Sequence, residues 1–379
     1  MSIRKYASAL CLAALTATAG QAEGLKVGMI TTLSGGGAGL GIDVRDGFML
    51  AVKQSGKTDI ELVIEDDQRK PDIAVQLADK LVQQEKVDVL TGIIWSNLAM
   101  AVVPSVTAQG KFYISPNAGP SALAGRGCNK NYFNVAWQND AFNEAAGAWA
   151  SENGIGKVFL LAPNYPAGKD MIAGFKRFFK GEVASEVYTK LGQTDYAAEI
   201  AQIKATEADM VYYFLPGGMG ISFMKQYAGS GAEKPVMGPA FSFDQGILGA
   251  IGEAALGVKN TSHWSKDIDN PANKAFVETF TAEYGRLPSL YASQGFDAAL
   301  LLISAMDKAD VKDADAFRAA LKAADFASTR GEFSFADNHH PVQTIYMREV
   351  VKEGDVVTNK IIGTAATGHS DSYGADCKM

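Results

Sequence analysis

Short apolar runs alternate with amphipathic stretches along most of the chain. The runs have the length and composition of buried strands, and the stretches between them have the 3.6-residue periodicity of helices. Such alternation is typical of parallel strands joined by helices, so we predict an α/β fold with two Rossmann-like lobes, each built on a parallel sheet. The predicted strands lie at 26–31, 60–65, 87–90 and 112–114 in the first series, and at 157–161, 182–190, 210–215 and 235–237 in the second.

The chain should cross between the lobes three times, through short segments at 135–140, 258–264 and 335–344. Three strands through a hinge allow two lobes to bend towards each other without unfolding. This interpretation predicts a first lobe of residues 23–138 plus 262–337, a second lobe of residues 139–261 plus 338–365, and a C-terminal tail of residues 366–379.

The N-terminus has the pattern of a cleaved secretory signal. Arg4 and Lys5 precede an apolar run at 7–19, and Ala22 ends a stretch of small residues that suits a signal peptidase. The run is shorter than the roughly 20 apolar residues that span a bilayer. We therefore predict a signal peptide at 1–22 and an exported mature protein in the periplasm.

Charge argues against a nucleic-acid partner. The formal net charge is −7, and loss of the signal peptide would make it more negative. The densest basic cluster, 176–180, has its aromatics at helical spacing and reads as the solvated edge of an amphipathic helix.

The sequence shows no catalytic, metal-binding or cofactor-binding pattern. Its histidines lack metal-ligand spacing, and no G-x-S-x-G elbow is present. The glycine-rich turn at 34–41 follows the first strand, but its spacing fails the dinucleotide fingerprint. We predict a turn whose backbone approaches a small ligand closely, and we expect no enzyme, metal or cofactor.

Two polar turns lie at neighbouring strand ends, where open α/β sheets bind ligands. Trp95 and Ser96 follow the strand at 87–90, and Ser96 is placed to cap a helix that Pro104 should kink or break. The turn at 115–119 follows the next strand. A helix N-terminus with free N–H groups offers a seat for an anion. The alternative is that Ser96 and Asn117 only cap and turn the chain.

With these features in place, the chain resembles the type I periplasmic solute-binding proteins of ABC importers, and most closely the leucine/isoleucine/valine-binding type. The resemblance rests on the segments 26–30, 33–35, 95–97, 114–118 and 236–239 and on Tyr165 before a helix. It implies two lobes that close on a ligand and dock on a membrane permease. It also implies that Ser96 and the Ala118 backbone hold a ligand carboxylate, that Tyr165 closes over it, and that Tyr291 forms an aromatic wall.

The chain departs from this pattern where amino-acid binders hold the ligand ammonium. The acidic residue expected after Gly238-Pro239 is replaced by the sequence Ala-Phe-Ser-Phe at 240–243, although Asp244 could still supply a carboxylate. Gly119 replaces a usual threonine, and Leu40 replaces an aromatic residue. A carboxylate seat beside aromatic surface from Trp95, Phe241 and Phe243 favours an aromatic or hydrophobic acid. A branched-chain or other hydrophobic amino acid remains the alternative.

The remaining predictions concern the ligand contacts, the partner and the cysteines. Ligand should bridge Asn97 and Asn117 on one lobe to Pro216 and Gly217 on the other. We expect a monomer that serves an ABC permease in the inner membrane, or alternatively a solute sensor for a membrane signalling partner. Cys128 and Cys377 are the only cysteines left after cleavage, and we predict a disulfide between them, with two free thiols as the alternative.

Overall fold

The structure is a computed structural model and describes residues 24–379. The predicted signal peptide at 1–22 lies outside the described residues. The described chain forms two sheets with helices packed on their faces, which confirms the predicted two-lobed α/β architecture. We refer to each sheet with its helices as the first lobe and the second lobe.

The first sheet has five parallel strands. Apolar side chains fill these strands because helices cover both faces, as expected for a parallel sheet. The strands are β1 (Leu25–Thr31), β2 (Ile60–Asp66), β3 (Val89–Thr91), β4 (Phe112–Ser115) and β5 (Tyr132–Asn134), in the order β2-β1-β3-β4-β5. The helices between them are α1 (Ala38–Ser55), α2 (Pro71–Gln83), α3 (Ser96–Ala108) and α4 (Ser121–Ala124).

The second lobe begins with a similar series of strands and helices. The helices are α5 (Ala141–Glu152), α6 (Pro166–Phe178), α7 (Ala197–Ala205), α8 (Gly218–Gly229) and α9 (Gln245–Ile251). The strands are β6 (Lys157–Pro163), β7 (Glu182–Thr189), β8 (Met210–Tyr213), β9 (Val236–Pro239) and β10 (Lys259–Ser262).

The chain then returns to the first lobe and crosses again to finish the second sheet. The returning helices are α10 (Pro271–Tyr284), α11 (Leu290–Met306) and α12 (Ala314–Ala323). The last strands are β11 (Ser334–Phe335), β12 (Pro341–Glu353) and β13 (Val356–His369), and the sheet order is β11-β12-β10-β9-β8-β6-β7, with β13 paired to β12.

The second sheet is mixed, whereas the sequence predicted a parallel one. β6 to β10 pair in parallel, but β12 runs antiparallel to β10 and to both β11 and β13. A tight turn at Gly354, with φ of 59°, joins β12 to β13 as a hairpin. Because β13 pairs with β12 as far as His369, the strand continues through the tail boundary predicted at residue 366. The predicted lobe boundaries are otherwise untested and stay predictions.

The three segments that connect the lobes lie side by side. The buried Arg330 guanidinium donates to the Ala136 carbonyl at 3.1 Å, and Gln343 of β12 donates to the same oxygen at 2.8 Å. The His263 ring lies edge-on to Trp137, with ring centroids 5.7 Å apart. Together these contacts confirm the predicted threefold connection.

Candidate functional site

A cavity of about 290 Å³ lies between the carboxyl ends of the strands in the two lobes. The first lobe and the connecting segments contribute Leu40, Ile94, Trp95, Ser96, Asn117, Ala118, Trp137, Asn139 and Tyr291, and the second lobe contributes Tyr165, Ala167, Met171, Phe214, Pro216 and Phe241.

The start of α3 supplies backbone donors to the cavity. The first bonds within this helix run from the Leu98 and Ala99 N–H groups to the Trp95 carbonyl. The N–H groups of Ser96 and Asn97 therefore precede the hydrogen-bonding pattern of the helix. The positive end of the helix dipole adds to this favourable environment for an anion.

Ser96 is the first residue of α3 rather than its cap, which corrects the prediction. Trp95 occupies the cap position, and no side-chain capping bond is made there. The Ser96 hydroxyl instead accepts a hydrogen bond from Asn139 Nδ2 at 3.1 Å, and Asn139 Nδ2 also donates to Asp170 Oδ2 at 2.9 Å. The hydrogen of the Ser96 hydroxyl therefore remains available to donate to a ligand. Pro104 lies inside α3, and the helix continues past it to Ala108, so the proline does not break the helix.

The second polar turn is tied directly to the first. Asn117 Nδ2 donates to the Ile94 carbonyl at 2.7 Å, and Asn117 Oδ1 is buried without a partner among the described residues. The Ala118 N–H makes only a long bond, 3.4 Å, to the Ile93 carbonyl. Ala118 therefore has an N–H group that a stronger acceptor could take over.

Aromatic rings form most of the remaining wall. The Trp95 and Tyr165 rings meet across the two lobes, with centroids 6.3 Å apart and planes tilted by 57°, and Tyr165 stacks on Phe214 at 6.2 Å. Phe241 lies 4.3 Å from the Trp137 ring. This surface suits a flat apolar ligand body.

The polar groups of the cavity are neutral and mainly donors. None of the described residues that line it carries a formal charge. The Tyr165 and Tyr291 hydroxyls have no hydrogen-bond partner within residues 24–379, and Trp137 Nε1 is buried without one. Burial raises the pKa of both phenols far above its usual range, so both stay protonated and able to donate.

Asp244 does not face the cavity. Its carboxylate accepts from the Leu290 N–H at 3.0 Å and from the Gly246 N–H at 3.1 Å, and the second bond caps α9. Burial, with the nearby Asp43 carboxylate adding to it, raises the pKa of Asp244 to about 6. The carboxylate that could have held a ligand ammonium is therefore used within the protein, as a bond between α9 of the second lobe and α11 of the first.

The structure places the other predicted site residues as follows. Leu40, Trp95, Ser96, Asn117, Ala118, Tyr165, Pro216, Phe241 and Tyr291 line the cavity, and Asn97, Gly119, Gly217 and Phe243 do not. Phe243 points the other way and packs against Tyr213, with ring centroids 5.3 Å apart. Gly119 serves the fold, because a Cβ there would collide with the Trp137 carbonyl.

Sequence reasoning missed several lining residues, among them Trp137, Asn139, Met171 and Phe214. Phe214 directly follows β8, so the strand-end rule could have found it. Trp137 and Asn139 lie in the first connecting segment, which was interpreted only as a hinge.

The glycine turn approaches Trp95 rather than the cavity itself. A Cβ at Gly37 would lie 2.6 Å from Trp95 Cζ2, so the missing side chain makes room for the indole. Leu40, a few residues later in α1, lines the cavity. The backbone of this turn was predicted to approach a ligand closely. It approaches the Trp95 indole instead and so positions the aromatic wall.

The predicted disulfide between Cys128 and Cys377 is present, with Cα atoms 5.6 Å apart. It joins the C-terminal segment to the loop after α4. Within residues 24–379, no group of acidic, histidine or cysteine side chains has a metal-binding arrangement, and no helix is long and apolar enough to cross a membrane.

Two lobes that enclose a small neutral-walled cavity at opposing strand ends define a two-lobed solute-binding protein. Residues 24–355 match the family model described as periplasmic binding protein, and the chain belongs to this family. Since this is a family of binding proteins, the prediction that the protein is not an enzyme is confirmed.

The chain is similar over nearly its whole length to proteins of known class. It is 30% identical to Leu/Ile/Val-binding protein homolog 6 of Brucella melitensis, over 92% of this chain and 93% of that protein. Its structure matches a solute-binding protein of an ABC transporter from R. palustris in complex with benzoate, with 36% identity, a TM-score of 0.89, and coverage of 94% of this chain and 100% of that one. A second match is a solute-binding protein from Rhodopseudomonas palustris BisB5 in complex with 3,4-dihydroxybenzoic acid, with 30% identity, a TM-score of 0.84, and coverage of 92% and 98%.

Proposed function

We propose that this protein binds a small aromatic carboxylic acid, such as benzoate, and delivers it to an ABC importer. The observation that carries the proposal is the cavity itself, which combines a helix N-terminus with aromatic walls and has no charged side chain among its described lining residues. The carboxylate would lie at the Ser96 and Ala118 turns, where N–H groups lack strong acceptors. Charged acceptors satisfy such donors strongly.

The aromatic ring would lie between Trp95, Phe241 and Tyr291, with Tyr165 and Phe214 at its edge. Trp137 Nε1 and the two tyrosine hydroxyls are further donors that the carboxylate or a ring substituent could use. Solute-binding proteins similar to this chain were crystallised with benzoate and with a dihydroxybenzoate, which supports the same ligand class here.

A branched-chain amino acid is the second candidate, because relatives of this chain carry that name. Its ammonium group would need acceptors in the cavity. Asn117 Oδ1 is the one buried acceptor without a partner among the described lining residues, and Asp244 is already bonded to two N–H groups. Burying a poorly paired ammonium costs several kcal/mol, so the cavity favours an acid without an amine.

The same proposal places the mature protein in the periplasm after cleavage at residue 22. It acts as a monomer, with the permease rather than nucleic acid as its macromolecular partner. A closed form bridged by ligand would present both lobes to the permease, since ligand stabilises the form with which it makes more contacts. A solute sensor with the same fold remains the alternative, and linkage of the gene to permease and ATPase genes would favour transport.

Calorimetry on protein that has been unfolded, washed and refolded tests the ligand class. We expect benzoate to bind in the micromolar range or tighter, cyclohexanecarboxylate more weakly because its ring is not flat, and benzyl alcohol not at all. Tight binding of L-leucine together with no heat from benzoate would overturn the proposal in favour of the amino-acid alternative.

A further inference from the structure

Arg69 follows β2 in an unusual backbone conformation. Both Gln68 and Arg69 have positive φ, 52° and 59°, which costs free energy for residues with a side chain. Two carboxylates hold this turn, because Asp66 accepts from the Gln68 N–H at 2.9 Å and Asp67 accepts from the Arg69 N–H at 2.7 Å.

The same turn is connected to the aromatic wall of the cavity. Trp95 Nε1 donates to Thr32 Oγ1 at 2.9 Å, and the Thr32 hydroxyl donates to Asp67 at 2.6 Å. The Arg69 guanidinium lies over the Trp95 ring, 5.5 Å from its centroid. A chain of hydrogen bonds therefore fixes the indole and the arginine that covers it in one arrangement.

Arg69 also reaches the second lobe. Its Nη2 atom lies 2.8 Å from the place where a Cβ at Gly192 would stand, in the loop that follows β7. Arg69 interacts with Tyr165 electrostatically as well. The guanidinium forms no ion pair or hydrogen bond with any residue in the described part of the chain. The half-buried guanidinium is therefore free to interact with a ligand.

We propose that Arg69 is a specificity-determining residue at the mouth of the cleft, which attracts an anionic ligand and closes over it by bridging Trp95 to Gly192. The part that concerns ligand charge rests on the proposed function, whereas the closing contact does not. Arg69 lies outside the cavity wall, so it acts on the approach and release of the ligand rather than on its seat.

The charges around the mouth support this role. Asp170, the other charged group that interacts with Tyr165, accepts hydrogen bonds from the Ser121 N–H and from Asn139 Nδ2. These bonds partly compensate the negative charge of Asp170. The Asp66 and Asp67 carboxylates of the turn likewise accept hydrogen bonds from N–H and hydroxyl groups, whereas the Arg69 guanidinium makes none. An unpaired cation at the entrance raises the local concentration of anions and their rate of association.

Stopped-flow binding of benzoate tests the attraction. We expect Arg69→Gln to lower the association rate about two- to fivefold at low ionic strength, with the difference vanishing in high salt. Lys70→Gln is the matched control, since it removes the same charge from the neighbouring exposed position. An equal effect of the two variants would mean general attraction by the surface charge and would overturn the specific role of Arg69.

Substitution of Gly192 tests the closing contact. Gly192 and Gly231 both have positive φ, 87° and 69°, but only Gly192 faces Arg69, while a Cβ at Gly231 would meet nothing within 4 Å. We expect Gly192→Ala to raise the benzoate release rate about threefold or more and Gly231→Ala to leave it unchanged. Adding Gly192→Ala to Arg69→Ala should have little further effect, because the obstructed side chain is already gone. Arg69→Gln and Arg69→Ala should also release benzoate faster than the wild type. Equal release rates for all three proteins would refute the closing role.

The two hypotheses fail in different ways. If the wild-type protein bound L-leucine and not benzoate, the proposed function would be wrong. The release-rate comparison would then be made with leucine. If Arg69 closes over the ligand, the variants should release leucine in the same order as benzoate. The effect of Arg69→Gln on the association rate should disappear, because leucine is a zwitterion. An unchanged release rate in that comparison would overturn the closing role independently.

Discussion

Replacing Ser96 with alanine separates a ligand-binding role from a structural one. Ser96 is 2% exposed, and its hydroxyl makes no capping bond and accepts one hydrogen bond, from Asn139 Nδ2. Because Asn139 Nδ2 keeps its bond to Asp170, the ligand-free protein loses only one neutral hydrogen bond. That loss is worth about 0.5–1.5 kcal/mol of the free energy of unfolding.

The ligand should lose more than the fold does. A hydrogen bond to a charged group contributes about 1.5–3 kcal/mol, so Ser96→Ala should weaken benzoate binding by about 10- to 150-fold. Calorimetry on refolded protein measures the affinity, and urea unfolding without ligand measures the stability. Ser105→Ala is the matched control, since Ser105 is an exposed residue of the same helix. Lost stability with unchanged affinity would refute the carboxylate seat and restore the interpretation that Ser96 only shapes the turn.

Three further predictions concern Asp244, Trp137 and the disulfide. The pKa of Asp244 is raised to about 6 in the folded protein, against about 3.9 in an unfolded chain. The folded state therefore binds more protons between pH 4 and 6, and stability falls as pH rises through that range. Asp244→Asn removes the titration but keeps an acceptor for only one of the two N–H groups that Asp244 bonds, so it should lower the free energy of unfolding at pH 4, and the variant should gain about 1–3 kcal/mol relative to wild type between pH 4 and pH 7; urea unfolding with equal effects at both pH values would contradict this. Trp137→Phe removes a buried donor without a described partner, so we expect about 10-fold weaker benzoate binding in calorimetry, and an unchanged affinity would exclude this donor from the site. The smaller ring also leaves space beside Phe142 and Phe241, so stability should fall by about 1–3 kcal/mol. Replacing Cys128 and Cys377 together with serine should lower the free energy of unfolding by about 2–5 kcal/mol in urea, and two reactive thiols in the unreduced unfolded wild type would show that the bond does not form.

The parts of the site that lie at strand ends could be predicted from the sequence. The strand ends before Ser96 and Ala118 could be predicted, because a short apolar run followed by a polar turn marks the carboxyl edge of a parallel sheet. Both turns line the cavity. Tyr165 and Tyr291 entered only through the resemblance, which implied that Tyr165 closes over the ligand and that Tyr291 forms an aromatic wall.

Side-chain direction could not be predicted in the same way. Phe241 and Phe243 were both expected at the ligand, but a 3₁₀ turn at Ala240–Ser242 points Phe241 into the cavity and Phe243 into the core of the second lobe. Asp244 was considered as a ligand group, but it caps α9 and bonds to α11. The local pattern could not show the second bond, because its two residues lie in different lobes and far apart in the sequence. The β12–β13 hairpin was missed because its alternating pattern was not distinguished from a crossing segment.

A crystal structure of refolded protein grown with benzoate would show whether the carboxylate lies at the Ser96 and Ala118 turns. We expect the carboxylate within hydrogen-bond distance of the Ser96 N–H, the Ser96 hydroxyl and the Ala118 N–H, with the ring between Trp95, Phe241 and Tyr291. Benzoate bound elsewhere, or with its carboxylate turned away from α3, would contradict the account. So would a co-purified amino acid in the cavity that benzoate does not displace.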